Sequence, residues 1–209
     1  MANGNLYDNR RIVEKYLNHK LSKNGHACEF RHRCRASGSG EEEEEEEVRE
    51  RESARRATLH RALREAGDEL ENMYRPELAE MTKSLRATPV SAEQRRFAAV
   101  ADELFRDGVN WGRVVAFFEF GATVCVQCAP DAERSVCAEN VARWMAEYLN
   151  GPLSGWIQDN GGWDAFVELY TRKKDSVFSS SWPSLTTSVF SLAALGAVGL
   201  TIGAYLTQK

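Results

Sequence analysis

Along most of this chain apolar residues recur at spacings of three and four, the period of a helix with one buried face. Ile12, Val13, Tyr16, Leu17 and Leu21 form the first stripe, opened by the capping residues Asp8 and Asn9 and closed around Asn24-Gly25. Leu59, Leu63, Ala66, Leu70 and Tyr74 form the next, with Gly67-Asp68 beside it. A glycine inside a helix costs ~1 kcal/mol relative to alanine, so Gly67 predicts the close approach of another helix. Pro76 marks a break or a new first turn, Leu78 and Met81 follow, and Pro89 punctuates the chain again. Residues 92–106 predict a helix with Phe97, Val100, Leu104 and Phe105 on its inner side. Val141, Trp144, Met145, Tyr148 and Leu149 predict another, stopped by Asn150-Gly151-Pro152. Short helices bearing Trp156, Ile157, Trp163, Phe166, Val167 and Tyr170 complete the body, and no alternating strand pattern with hairpin turns occurs.

The stretch from Trp111 to Val126 differs in being apolar on every face, which places it inside a domain. Its charges are Arg113, in the first turn, and Glu119. Breaking a buried ion pair costs about 3–5 kcal/mol, so a guanidinium at the mouth of a buried helix needs an anion. Asp107 or Glu119 within the chain, or a carboxylate of another molecule, would serve. The fold class is therefore all-α, a helical bundle around one central apolar helix.

The chain of 209 residues carries a net charge of -4, but Glu41 to Glu47 is an unbroken acidic run of seven, without which the remainder is +3. The opposite bias marks residues 10–35, where eight lysines and arginines face Glu14 and Glu29 alone. Between about Phe30 and Ala57 there is hardly an apolar side chain, which predicts a disordered loop, with a charged solvated helix as the alternative. Near the end, Leu185 to Leu206 is uncharged over 22 residues. As a helix it spans about 33 Å, against the ~30 Å hydrocarbon layer. It predicts a transmembrane tail anchor inserted after synthesis, with Arg172, Lys173 and Lys174 on the cytosolic side; a buried core helix is the competing reading. Gly199 and Gly203 form a small-residue face on which two such helices can approach, giving a possible homo- or hetero-dimer. The expected organisation is thus 1–29 an amphipathic helix packed on the bundle, 30–57 the loop, 58–171 the bundle, 172–184 a linker and 185–206 the membrane helix.

Five cysteines and no amino-terminal leader fit a reducing, cytosol-facing compartment. Cys125 and Cys128 read as structural thiols near the end of an apolar helix. His26, Cys28, His32 and Cys34 have metal-ligand spacing, but Arg31, Arg33 and Arg35 among them repel a cation. No cofactor or metal is expected, and neither nucleic acid nor a substrate is implied. Gly-x-Ser-x-Gly, phosphate-binding glycine loop and His-Glu-x-x-His motifs are all missing, which argues against an enzyme.

Four segments resemble, in order, the homology motifs of the Bcl-2 family of apoptosis regulators. Tyr7-Asp8-Asn9-Arg10 through Leu21-Ser22 is similar to the fourth motif and Leu63-Arg64-Glu65-Ala66-Gly67-Asp68 to the third. Glu103 to Arg113, with Asn110-Trp111-Gly112-Arg113, resembles the first motif, and Trp156 to Trp163, with Asn160-Gly161-Gly162-Trp163, the second. The chain departs from close relatives at Leu70 and Leu78, where phenylalanine is usual, and at Cys28, where tryptophan often follows the fourth motif.

The resemblance implies a preformed groove that receives the amphipathic death-motif helix of a pro-apoptotic relative, effector or death-motif-only protein. By analogy Arg113 would pair with an aspartate of that helix, Asn110 and Asp107 would hydrogen-bond its polar edge, and Gly112 would permit close approach. Leu70, Tyr74, Leu78, Met81, Val100, Leu104, Ala116 and Phe120 would line pockets for its apolar anchors, with Tyr170 at the groove's border. The implied role is anti-apoptotic: prevention of mitochondrial outer membrane permeabilisation from the cytosolic face of that membrane, and of endoplasmic reticulum and nuclear envelope membranes. A pro-apoptotic or pore-forming member, opening the helices 110–127 and 137–149 as a hairpin, is the alternative.

Overall fold

The structure is a computed structural model that describes residues 7–26, 30, 44–86, 93–127 and 134–175. Seven helices lie among them: α1 (Asn9–Lys23), α2 (Glu44–Arg86), α3 (Glu93–Phe105), α4 (Trp111–Gln127), α5 (Arg134–Asn150), α6 (Ser154–Asp159) and α7 (Gly162–Asp175). The all-helical expectation holds, and the described residues contain no strand.

α4 is the axis of the bundle, as its unbroken apolar surface requires: α1, α2, α3 and α5 all pack on it. Thirteen of its residues, from Gly112 to Cys125, are buried. Around it Phe97 of α3 stacks on Phe120 at 5.0 Å, while Phe105, Phe117 and Tyr148 interlock at 5.3–5.9 Å. At its first turn Trp111 meets Trp156, Trp163 and Phe166 at 5.1–5.6 Å, so α6 and α7 close that end of the core. These indoles belong to the core and its edge, as expected.

α1 begins where Asp8 caps it, its side chain accepting from the Arg10 backbone N–H at 2.9 Å, and ends at Asn24 before Gly25 with φ +79°. Asn9, expected to share the capping, does something else. Its amide donates to Asn150 at 2.8 Å and its carbonyl oxygen accepts from the Trp163 indole at 2.8 Å, tying α1 to the end of α5 and the start of α7.

Three boundaries differ from the sequence reading. α2 starts at Glu44, so the expected loop is helical over its later part, the charged solvated helix that was the alternative; Arg49 to Ala57 lies on the surface but for partly covered Glu52 and Arg56. Alternating Arg and Glu are good helix formers, and a helix need not bury a face to continue from one that does. Phe30, placed in the loop by its polar neighbours, is 6% exposed and belongs to the core. α7 runs on to Asp175, past the expected end of the body at 171. At Pro76 the expected punctuation is a kink: Tyr74 takes φ -127° and ψ 26°, and α2 continues beyond it in a second arm. The linker after Asp175, the membrane helix 185–206, Cys128 and the cluster Cys28, His32 and Cys34 lie outside the described residues. Among those described, no helix is long and apolar enough to cross a membrane.

Candidate partner-binding site

The amino terminus of α4 carries the charged part of the site. Asn110 caps the helix, its Oδ1 accepting the Arg113 backbone N–H at 2.9 Å while its carbonyl accepts from Val114 at 3.0 Å. This cap fixes Arg113 in the first turn, where Gly108, at φ +104°, has reversed the chain out of α3. The Arg113 side chain is 9% exposed. One terminal nitrogen donates to the Gly108 carbonyl and the other stands 3.9 Å from Oδ2 of Asp107, whose side chain is half exposed. Of the two internal anions considered for Arg113, Asp107 is therefore near and Glu119 is committed elsewhere. At the limit of an ion pair and open to water, the Asp107 contact is weak. Gly112, the next residue inward, is buried.

The apolar positions divide into two groups. Leu70, Leu78, Leu104, Ala116 and Phe120 are at most 3% exposed and sit in the core. Tyr74 and Val100 are partly buried against it, and Tyr170, 9% exposed, donates from its hydroxyl to Glu69 at 2.8 Å and stacks on Phe166 at 6.2 Å. Burial and the Glu69 carboxylate push the Tyr170 phenol well above its usual range. Met81 lies in the second arm of α2, and its side chain is outside the description. Five of the positions expected to line pockets are thus buried in the core. Exposing such side chains to water costs about 25 cal/mol per Å², which favours their burial. The half-buried rim of Tyr74, Val100 and Asn110, with Asp107 exposed beside Arg113, is what remains at the surface.

A second polar centre joins α1, α2 and α4, and periodicity reasoning missed it. Lys20, 2% exposed, sends its ammonium 2.7 Å from Asp68, 2.9 Å from Glu71 and 2.7 Å from Glu119. Lys23 adds a contact to Asp68 at 3.0 Å, and the Tyr16 hydroxyl donates to Glu119. Burial works against the charge on Lys20, but Glu119 and the hydrogen bonds of Asp68 and Glu71 outweigh it and hold its pKa above the usual lysine value. Burial likewise opposes ionisation of Asp68 and Glu71, and the two lysines overcome it, so both carboxyls lie below their usual range. Glu119 is the most enclosed of the three; there burial prevails over Lys20 and Tyr16 and its pKa is raised. The three carboxylates are close enough to ligate a cation, and the Lys20 ammonium is the cation they share. Gly67 is why the helices can meet at this point: a Cβ there would lie 1.9 Å from the Tyr16 hydroxyl and 2.3 Å from Glu119 Oε1. The signal was in the sequence, since Lys20 falls on the Val13, Tyr16, Leu17, Leu21 stripe and Glu119 inside an otherwise apolar run.

Comparison with known proteins bears on the same segments. The family model described as apoptosis regulator proteins, Bcl-2 family, matches residues 63–163, and that of Bcl-2 homology region 4 matches residues 6–29. The chain is similar to "Apoptosis regulator Bcl-2" of Canis lupus familiaris, 43% identical over 232 aligned residues that cover 97% of each chain. The same-named protein of Gallus gallus is 54% identical over 151 residues, covering 72% of this chain and 63% of that one. "Bcl-2-like protein 1" of Homo sapiens is 55% identical over 114 residues, 54% of this chain and 48% of that one.

Proposed function

The chain belongs to the Bcl-2 family of apoptosis regulators, and from that premise we propose that it is an anti-apoptotic, non-enzymatic member that captures the death-motif helix of pro-apoptotic relatives. The observation that carries this reading is Arg113, a nearly enclosed guanidinium at the α4 amino terminus that stands 3.9 Å from the half-exposed carboxylate of Asp107 at the protein surface. An aspartate on an incoming helix offers it a shorter, better shielded partner. The rim of Tyr74, Val100, Asn110 and Asp107 marks where that helix docks, and movement of α3 or of the second arm of α2 opens Leu70, Leu78, Leu104, Ala116 and Phe120 to its apolar anchors. The family resemblance adds Met81, Gly112 and Tyr170 to the proposed site. The uncharged run 185–206 anchors the protein, body on the cytosolic side, in the mitochondrial outer membrane and in endoplasmic reticulum and nuclear envelope membranes.

Retention of the α1 segment supports survival over killing, because its Lys20 and Tyr16 hold α2 and α4 together and oppose opening of the bundle. Leakage of dye-loaded liposomes on adding the tail-deleted protein, with and without an activator peptide, tests this. Suppression of leakage caused by an effector relative is expected; leakage caused by this chain alone would favour the pore-forming reading.

A further inference from the structure

The basic bias of the amino-terminal segment has a structural counterpart away from the partner-binding site. Between the outer face of α1 and the adjoining turns of α2 lies an open cleft of about 500 Å³. Lys15, Asn18, His19 and Ser22 form one wall, and His60, Arg61 and Arg64 with Ala57 the other. Every polar residue of that lining can donate a hydrogen bond, and among the described residues no carboxylate lines it. Three fixed positive charges, from Lys15, Arg61 and Arg64, converge on it. Arg64 supplies the observation that asks for a ligand: its Nε is buried and meets no acceptor, although a buried guanidinium N–H ordinarily has one.

We propose that this cleft binds a compact phosphate-bearing anion with adjacent phosphoryl oxygens, held by Arg61, Arg64 and Lys15 with Asn18 and Ser22 completing the donor set. Planar guanidiniums on one wall and an ammonium on the other suit a tetrahedral, multiply charged oxyanion better than a single carboxylate. The two imidazoles agree. Burial, then Lys15 and Arg64, lower His60 to about 4; burial and Arg64 lower His19, with Asp68 opposing and Lys20 and Lys23 assisting. Both rings are therefore held towards the neutral form, chiefly by burial, with the neighbouring cations assisting. A bound anion offsets the positive part of that field and shifts both imidazoles upward.

The test is calorimetric titration of the full chain in detergent micelles with inorganic pyrophosphate, followed in parallel by NMR of the His60 ring. Saturable binding at one site, a shift of the His60 ring resonances on adding pyrophosphate at fixed pH, and roughly tenfold weakening in Arg61→Ser and again in Lys15→Ser are expected. Both substituted residues are exposed, so an unchanged circular-dichroism melt confirms the fold of each variant. Flotation with phosphatidylcholine vesicles, with and without phosphatidylinositol bisphosphate, separates the sources: extra co-flotation that the bisphosphate adds and Arg61→Ser removes assigns a lipid headgroup, and pyrophosphate binding without that increment assigns a soluble phosphate. No pyrophosphate binding, binding indifferent to Arg61 and Lys15, or displacement by a glutamate-rich peptide alone would overturn the proposal.

Discussion

Lys20 shows how far a single position can depart from what its neighbours suggest. On the apolar stripe of α1 it reads as an interruption, yet it is the ammonium around which Asp68, Glu71 and Glu119 gather. Removing one partner of a buried charge group leaves the others uncompensated, so Lys20→Met is expected to lower unfolding free energy by about 3–5 kcal/mol in urea titration. An unchanged midpoint would show the network to be dispensable. Its pH dependence follows from the direction of each shift. Asp68 and Glu71 are lowered in the folded chain, so the unfolded chain takes up their protons first as pH falls through the ordinary values of 4.5 and 3.8. Their contribution is present above that range and lost below it. Glu119, raised, acts in the opposite sense and softens the loss. Acid unfolding followed by tryptophan fluorescence should be less steep in Lys20→Met, and equal slopes would count against the assignment. Lys20 could have been suspected from its register, but its partners lie 48 to 99 residues away and no local pattern names them.

At the level of elements, the extents of α1 and α3 were legible because each repeats an apolar stripe, that of α4 because it is apolar throughout, and α5 at its end, where Asn150-Gly151-Pro152 stops it. The start of α2 was not. Nothing apolar recurs between Glu44 and Ala57, and helices carried by propensity and charge pairs leave no stripe to read. The expected groove could be read only as a list of apolar residues: periodicity says that Leu70, Leu104 and Phe120 face inward, and cannot distinguish a pocket lining from the core in which they are buried. Gly67 is where element packing can be tested. Gly67→Val inserts side-chain atoms where α1 and α4 already meet, and a loss of about 1–3 kcal/mol in thermal unfolding is expected. A melt equal to that of the parent would mean that the helices separate there without cost. Deleting residues 31–50 should leave the melting temperature nearly unaltered, since loop closure depends weakly on length. Extending the deletion to include Phe30 and Arg55 should lower it, as Phe30 is core and Arg55 pairs with Asp164, which also accepts from Tyr7.

For the whole molecule, the bundle holds one buried helix whose entry is charged, and the account of function rests on what that charge meets. α1 ties the fourth-motif segment to α2 and α4 through Lys20 and Tyr16, and to α5 and α7 through Asn9 and through Arg10, 2.6 Å from Glu139. At the α4 entry, Asn110 caps the helix, Arg113 donates to the Gly108 carbonyl and stands 3.9 Å from Asp107, and Trp111 packs on Trp163, the residue Asn9 holds. Calorimetric titration of the folded chain and of Arg113→Ala with an amphipathic death-motif peptide, each with the peptide's aspartate present and replaced by alanine, measures this directly. Arg113→Ala should weaken binding of the aspartate peptide by roughly 2–5 kcal/mol, and the peptide substitution should cost little more once Arg113 is gone. Equal affinity of the parent and a still-folded Arg113→Ala for the aspartate peptide would contradict the account.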